Sequence, residues 1–409
     1  MNYRFSPLLK QEAMMAQKLH EALEGDILDQ IMDMTGIMDN PDDTSMRNEM
    51  EVKRLRVQPD IMPRLYGLLE NVRLRLGFKS EVQVFITNSK EVNACTYFST
   101  TAGRPLIVNL NSALVEMMSE EELCFVVGHE LGHQIAGNFK LEKLIRFVYP
   151  DLSMAPLLFQ LKVLMWRQLC ELEADRFGYL AVGDLNVCVS AFFKFHTGLN
   201  LEGIRINTDA FIEHNKQLLA HYTEGEFLSF ESFDHPADSI RVEALSAFAN
   251  AQTEEELENI MCRLIYAISR VSTNKVGEIM PYFIASAGLL IANADGNISK
   301  EEQEFILQKI SEFDLFPQSV LEEVAEGNVG EFFGKSVEKI LSLDPDMKPA
   351  LMEFILDQVM SDNKLGADEV NMAIKLCVEA LGYTAEEAMA AFAMRVRAVF
   401  RPSFGAICN

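Results

Sequence analysis

The stretch Gly128–His133, with the sequence GHELGH, constrains the fold of this chain more than any other feature. Its histidines, His129 and His133, are four residues apart. In a helix both imidazoles therefore lie on one face, about one turn apart, where they can bind the same metal ion. Glu130 follows the first histidine and points toward the remaining coordination position. The fold must then bring a further ligand to this face from elsewhere in the chain.

The flanking residues predict such a helix. Ser119, followed three residues later by Glu122, forms a capping box, which is typical of a helix N-terminus. Gly137 is a C-terminal stop signal. Between these ends, apolar residues recur at helical spacing: Leu123, Val126, Val127, Leu131 and Ile135. We therefore expect one amphipathic helix that carries both histidines.

A second acidic run offers the missing ligand. A catalytic zinc site needs three protein ligands and an open position for water. In the run Glu171-Leu-Glu-Ala-Asp175 one acid can bind zinc, while the other accepts a hydrogen bond from a ligand imidazole and fixes its tautomer. We assign Glu171 to the metal and Asp175 to the imidazole. Glu173 projects about 160° away from that face and is disfavoured, and Cys170 is predicted to be a buried thiol.

Length and charge limit the class of protein. The chain has 409 residues, enough for two or three domains, and a net charge of −25, which disfavours nucleic acid as a partner. Its seven cysteines are an odd number without a CxxC pair, which indicates reduced thiols in the cytoplasm. The N-terminus lacks the apolar core of a signal peptide. The longest apolar stretches, residues 155–166 and 283–294, are shorter than the ~18 residues of a membrane span, so we expect none.

The predicted elements suggest two domains. Residues 1–76 show helical periodicity with a loop at 36–47, and strands are predicted at 82–86, 93–98 and 106–110. Further helices follow, among them one over residues 154–182. We expect a mainly helical α+β domain with a small sheet over residues 1–272, and an all-α domain over residues 275–409.

The C-terminal part contains an acidic repeat. The segments Asp295–Glu302 and Asp362–Glu369 share an Asp, an aliphatic residue three positions on and a Glu seven positions on. An EF-hand is disfavoured because the first loop position would be Ile291 or Gln358. The repeat resembles that of the TerB-like, tellurite-resistance type of helical domain, which implies a docking role toward a protein partner. A ligand-free acidic helical bundle with capped turns is the open alternative.

The N-terminal part resembles the gluzincin metallopeptidases that include the prenyl-protein (CAAX) proteases and the HtpX heat-shock proteases. The resemblance covers about residues 50–250, and all matching motifs keep the family's order. They are the pair Asn93-Ala94, the run Ser119–Leu123, GHELGH at Gly128–His133, the ELEAD run ending at Asp175, and His235-Pro236 followed by Arg241.

The resemblance implies a soluble zinc endopeptidase with one Zn²⁺ per chain. His129, His133 and Glu171 would bind the metal, and Glu130 would be the general base. Beyond the resemblance, a tetrahedral oxyanion needs donors besides zinc, and His235 and Arg241 are the candidates. His235 could instead occupy the fourth zinc position or have only a structural role.

A protein or peptide substrate could pair with an extended edge that includes Asn93 and Ala94. The rival interpretation is a non-catalytic metal-binding scaffold or holdase that acts through its C-terminal helical domain. Completeness of the predicted site favours the peptidase, because a degenerate site usually lacks the base or a ligand.

Overall fold

The computed structural model describes residues 4–36, 43–97, 104–199, 207–224, 236–269 and 274–401. These residues divide into two compact units, one ending at Ile268 and the other beginning at Ser269.

The first unit is mainly helical. Its helices are α1 Lys10–Ala22, α2 Gly25–Thr35, α3 Asp43–Lys53, α4 Pro63–Arg75, α5 Ser112–Met117, α6 Glu120–Ala136, α7 Asn138–Val148, α8 Leu157–Val182, α9 Leu185–Thr197, α10 Thr208–Glu224, α11 Asp238–Asn250 and α12 Glu254–Ser269. The loop predicted at residues 36–47 is wrong from residue 43 onward, where α3 begins. The sequence MRNEMEVK that follows the Asp pair has good helix formers, which extend the helix back to Asp43.

A four-stranded mixed sheet lies in this unit. Its strands are β1 Leu55–Arg56, β2 Val82–Thr87, β3 Ala94–Tyr97 and β4 Leu106–Asn111, in the order β1-β2-β4-β3. β2 and β4 are parallel, with Val84 opposite Val108, and the two outer strands are antiparallel to their neighbours. The three predicted strands are confirmed over the described residues, whereas the helical prediction for residues 1–76 is wrong at β1, which pairs with β2. β3 is an edge strand and packs beside α6.

Helix α6 begins and ends where the sequence predicts. Ser119 and Glu122 form both hydrogen bonds of the capping box, and Gly137 ends the helix with φ of +80°. The long helix predicted at 154–182 is confirmed as α8, after a 3₁₀ turn at Leu152–Met154.

The glycines of GHELGH allow α6 to lie unusually close to α8. A Cβ atom at Gly132 would lie 2.8 Å from Phe177 Cβ and 3.1 Å from Ala174 Cα, and one at Gly128 would lie 2.5 Å from Ala181 Cβ. Such distances are shorter than atoms in a packed interior tolerate. The motif therefore supplies the ligands and also the close helix contact that brings α8 to them.

The second unit consists of helices. They are α13 Lys275–Ala292, α14 Lys300–Ile310, α15 Pro317–Glu326, α16 Val329–Leu343, α17 Lys348–Gln358, α18 Ala367–Glu379 and α19 Ala385–Val399, with a 3₁₀ turn at Pro345–Met347. α13 is central, with Phe283 and Ile291 fully buried in the core. It is also the one described helix that is long and apolar enough to span a bilayer, and 61% of that apolar stretch is buried inside the protein.

The acidic repeat forms the same turn twice. Asp295 and Asp362 each accept the backbone N–H two residues on, at 2.8 and 2.9 Å. Glu302 and Glu369 each accept the backbone N–H of the N-cap residue of their own helix, which is Ser299 for α14 and Gly366 for α18. Local turn and capping bonds thus account for the shared Asp and Glu.

Candidate metal centre

Three side chains from α6 and α8 converge on one point. The Nε2 atoms of His129 and His133 lie 3.2 Å apart, and each lies 3.4 Å from a carboxylate oxygen of Glu171. Among the described residues, this is the only group of three or more His, Cys, Asp or Glu side chains whose ligand atoms cluster closely enough to hold a metal ion. Glu171 is buried and both imidazoles are largely so.

Asp175 orients the first imidazole. Its Oδ1 accepts a hydrogen bond of 2.9 Å from His129 Nδ1. A carboxylate only accepts, so the Nδ1 atom carries the proton and Nε2 is directed at the centre. Arg241, on α11, donates to both oxygens of the same carboxylate, at 2.6 and 2.9 Å, and lies 3.6 Å from Glu171.

The charges of this group favour a cation. Burial lowers the pKa of His129, but hydrogen bonds and charges from Asp175 and Glu171 outweigh it and raise that pKa to about 10. Burial raises the pKa of Asp175, yet the charge and hydrogen bonds of Arg241, with those of His129, hold it below its usual range. The carboxylates around His129 therefore favour a positive charge at this group.

The second imidazole is oriented through an amide. His133 Nδ1 lies 3.3 Å from Asn138 Oδ1, and Asn138 Nδ2 donates to Glu12 on α1 at 3.2 Å. Asn138 is placed there by the tight turn at Gly137, which joins α6 to α7. The sequence did not predict Asn138 or Glu12 as residues of the site. The only signal for Asn138 was its position directly after the predicted helix stop.

The donor set fits zinc. Two imidazole nitrogens and one carboxylate oxygen are typical ligands of a catalytic zinc ion, and the oriented Nδ1 atoms leave both Nε2 lone pairs facing the carboxylate. The group also borders an open cavity, so a fourth position is accessible. His129, His133 and Glu171 could together hold one Zn²⁺.

Glu130 lies beside the ligands and is tied to the sheet. Thr96 on β3 donates a hydrogen bond of 2.6 Å from Oγ1 to Glu130 Oε2. Both side chains are half-buried and border the cavity. The sequence contained no specific signal for Thr96 beyond its place in a predicted strand.

The cavity, of about 720 Å³, has walls of different chemistry. One wall is the edge strand β3 with Ala94, together with Asn93 directly before it. A second wall is aromatic, and a third carries the charged residues of α7 and α8. The aromatic wall includes Phe125, Phe192 and Phe195, and the charged wall includes Glu142, Arg146 and Arg167.

The remaining predicted residues have different outcomes. Arg241 lies at the centre, but its guanidinium is engaged by Asp175, so its role as an oxyanion donor stays a prediction. His235 lies outside the described residues. Cys170 is buried and its thiol donates to Glu12 at 3.7 Å. The described cysteines are all free thiols.

Comparisons with known proteins agree with this geometry. Residues 63–249 match the family model of peptidase family M48, and this stretch contains α6, α8 and all but the last residue of α11, including Arg241. The chain is 28% identical over 156 residues to the plastoglobule-localized metallopeptidase 48 of Arabidopsis thaliana, covering 36% of this chain and 44% of the relative. It is 36% identical over 69 residues to protease HtpX homolog 1 of Sulfurisphaera tokodaii, covering 17% and 21%.

The chain thus spans less than half the length of either relative. No solved structure matches. A peptidase family M48 domain is supported over residues 63–249. The TerB-like character of the second unit stays a prediction.

Proposed function

We propose that this chain, with its peptidase family M48 domain at residues 63–249, is a zinc-dependent endopeptidase that hydrolyses protein or peptide substrates. The observation that carries the proposal is the convergence of His129, His133 and Glu171 beside Glu130 on an open cavity. Bound there, Zn²⁺ would lower the pKa of a water molecule and polarise the scissile carbonyl.

Glu130 is the general base of this proposal. Its carboxylate takes the proton of the attacking water and passes it to the leaving amine. The Thr96 hydroxyl occupies Glu130 Oε2 and leaves Oε1 to receive the proton. Because this hydrogen bond joins Glu130 to β3, it would fix the position of the base relative to a substrate that lies along that strand.

Asp175 and Arg241 act as positioning residues. Asp175 holds His129 in the tautomer that directs Nε2 at the metal, and Arg241 keeps Asp175 ionised in a buried site. The guanidinium–carboxylate pair is bidentate, so it fixes the direction of the carboxylate as well as its charge. This favours a supporting role for Arg241 over direct contact with an oxyanion.

The substrate would bind in an extended form along β3. An edge strand has backbone N–H and C=O groups that can pair with another chain, and main-chain pairing discriminates little between side chains. The aromatic wall would receive an apolar side chain of the substrate. We propose a cytoplasmic location, and we propose that residues 275–409 form a TerB-like domain that recruits a protein partner.

The rival function is a non-catalytic metal-binding scaffold or holdase. Both functions require zinc, but only the peptidase requires a base. The bond from Thr96 to Glu130 favours the peptidase, since it orients a carboxylate that is not one of the three proposed ligands.

Zinc stoichiometry and casein cleavage test the proposal together. The wild type should bind one Zn²⁺ per chain and cleave casein. Glu130→Gln keeps the side chain's size but cannot accept the proton, so cleavage should fall by several orders of magnitude while zinc remains bound. Glu121→Gln is the matched control, because Glu121 is exposed on the same helix and should leave both quantities unchanged. Undiminished cleavage by Glu130→Gln would refute the mechanism.

A further inference from the structure

We propose that Glu12, on the N-terminal helix α1, is a positioning residue of the metal centre. Its carboxylate orients Asn138, and Asn138 orients the ligand His133. The inference rests on the proposed role of His133 as a zinc ligand. It adds that α1 contributes to the geometry of the metal centre, although α1 lies outside the stretch that matches the peptidase family.

The hydrogen bonds define a direction for each group. Glu12 is buried, with 8% of its surface exposed, and its Oε1 accepts from Asn138 Nδ2 at 3.2 Å. A carboxylate only accepts, so the amide NH₂ of Asn138 must face Glu12 and its Oδ1 must face His133. The amide oxygen then requires the proton of His133 on Nδ1, and Nε2 is left to bind the metal.

Glu12 is itself held in place by α8. The same Oε1 accepts from the indole Nε1 of Trp166 at 2.7 Å and from the Cys170 thiol. The chain just before α1 is also fixed, because Leu9 N donates to the buried carboxylate of Glu173 at 2.8 Å. Residues 9–12 are thus docked on the helix that carries Glu171.

Burial of Glu12 supports a role beyond packing. Removing a carboxylate from water costs free energy unless hydrogen bonds replace the lost hydration, and an apolar residue would pack there without that cost. Each of the two imidazole ligands is then oriented by a buried carboxylate. Asp175 holds His129 directly, and Glu12 holds His133 through Asn138.

Three variants of the full-length chain separate positioning from packing. Glu12→Gln keeps an oxygen that can accept from Asn138 and Trp166, whereas Glu12→Met keeps the length but accepts nothing. Met15→Ala is the packing control, because Met15 is buried on the same helix and is not one of the groups that hydrogen-bond the Glu12 carboxylate. Zinc affinity is measured by chelator competition, and the Co²⁺-substituted absorption spectrum reports the ligand geometry.

We expect Glu12→Met to weaken zinc binding about 10-fold and to change the Co²⁺ spectrum, with Glu12→Gln within about twofold of wild type. Trp166 is the single tryptophan, so its fluorescence checks that the Glu12 contact was lost in Glu12→Met and kept in Glu12→Gln. Glu12→Met and Asn138→Leu should not be additive, since both break the same chain of contacts.

The proposal fails if Glu12→Met binds zinc as tightly as wild type, or loses no more affinity than Met15→Ala. Additive effects of Glu12→Met and Asn138→Leu would also overturn it. Failure of the proposed function would look different: a wild type that binds no zinc, or undiminished casein cleavage by Glu130→Gln.

Discussion

Replacing Asp175 by Asn tests how the buried charges support the metal centre. Asp175 is 1% exposed and accepts three hydrogen bonds, from His129 Nδ1 and from Arg241 Nη2 on one oxygen, and from Arg241 Nε on the other. Asn has the same shape but one acceptor. If the Asn oxygen keeps the hydrogen bond from His129 Nδ1, the Asn NH₂ group must face the N–H of Arg241 Nε. A buried donor then loses its acceptor.

The loss of charge has two consequences for zinc. The imidazole of His129 becomes a weaker ligand because its Nδ1 proton no longer faces a carboxylate. Arg241 also keeps its charge beside Glu171, at 3.6 Å, and competes with the metal for that carboxylate. We expect zinc affinity to fall about 10- to 100-fold, which corresponds to about 1.4–2.7 kcal/mol.

A second substitution distinguishes these effects. Asp175→Asn combined with Arg241→Met removes the uncompensated charge, so part of the affinity should return. In the metal-free protein, Asp175→Asn alone should lower the free energy of unfolding by about 3–5 kcal/mol, as breaking a buried ion pair does, and the double variant should lower it less.

Chelator competition gives the zinc affinity, and urea denaturation with and without EDTA gives the stability. The reasoning is refuted if folded Asp175→Asn binds zinc as tightly as wild type. If the double variant binds zinc no better than the single one, Arg241 does not compete for Glu171.

Four further outcomes can be measured. Glu171→Ala should lose zinc, since two imidazoles leave the ion under-coordinated; a full zinc complement by metal analysis would show that the third ligand lies elsewhere. Thr96→Val should lower kcat about tenfold with zinc and KM nearly unchanged, because the base loses its 2.6 Å hydrogen bond; an unaltered kcat would exclude this role. A chain ending near residue 272 should keep zinc and peptide hydrolysis; loss of zinc on truncation would mean that the two parts share one core. Burial and the adjacent Glu302 raise the pKa of Glu369 from 4.5 to about 7, so the folded protein favours the protonated side chain. The stability that Glu369 contributes is therefore present below about pH 4.5 and is lost as the pH rises through 7. In Glu302→Gln the fall in melting temperature between pH 5.5 and 8.5 should be smaller, and an equal fall in both proteins would show that Glu302 does not raise the pKa of Glu369.

Several features were predictable because they depend on residues that are close in sequence. The capping box at Ser119 and the stop at Gly137 involve bonds within a few residues of each end, so they determine α6 locally. The spacing of His129 and His133 places both imidazoles on one face in any helix. The predicted strands are segments of four to six residues that contain β-branched residues, and they lie between turn residues.

Other features depend on contacts between segments far apart in sequence. Thr96 reaches Glu130 across 34 residues, and Glu12 reaches Asn138 across 126. Threonine, asparagine and glutamate are common at such positions without any role in a site, so nothing local marked them. The first residues of helix α3 were predicted as a loop and strand β1 as part of a helical stretch, because a short element is stabilised mainly by what it packs against.

The sequence by itself determined which atoms could bind a metal and which helices would carry them, since periodicity and end signals are local properties of the chain. Only the tertiary structure decided how those atoms are oriented. Orientation requires a hydrogen-bond partner for each imidazole Nδ1, and the partners, Asp175 and Asn138, take their own directions from Arg241 and Glu12. Those directions exist only after α1, α7 and α11 have packed on α6 and α8, because a buried polar group is held by the neighbours that surround it.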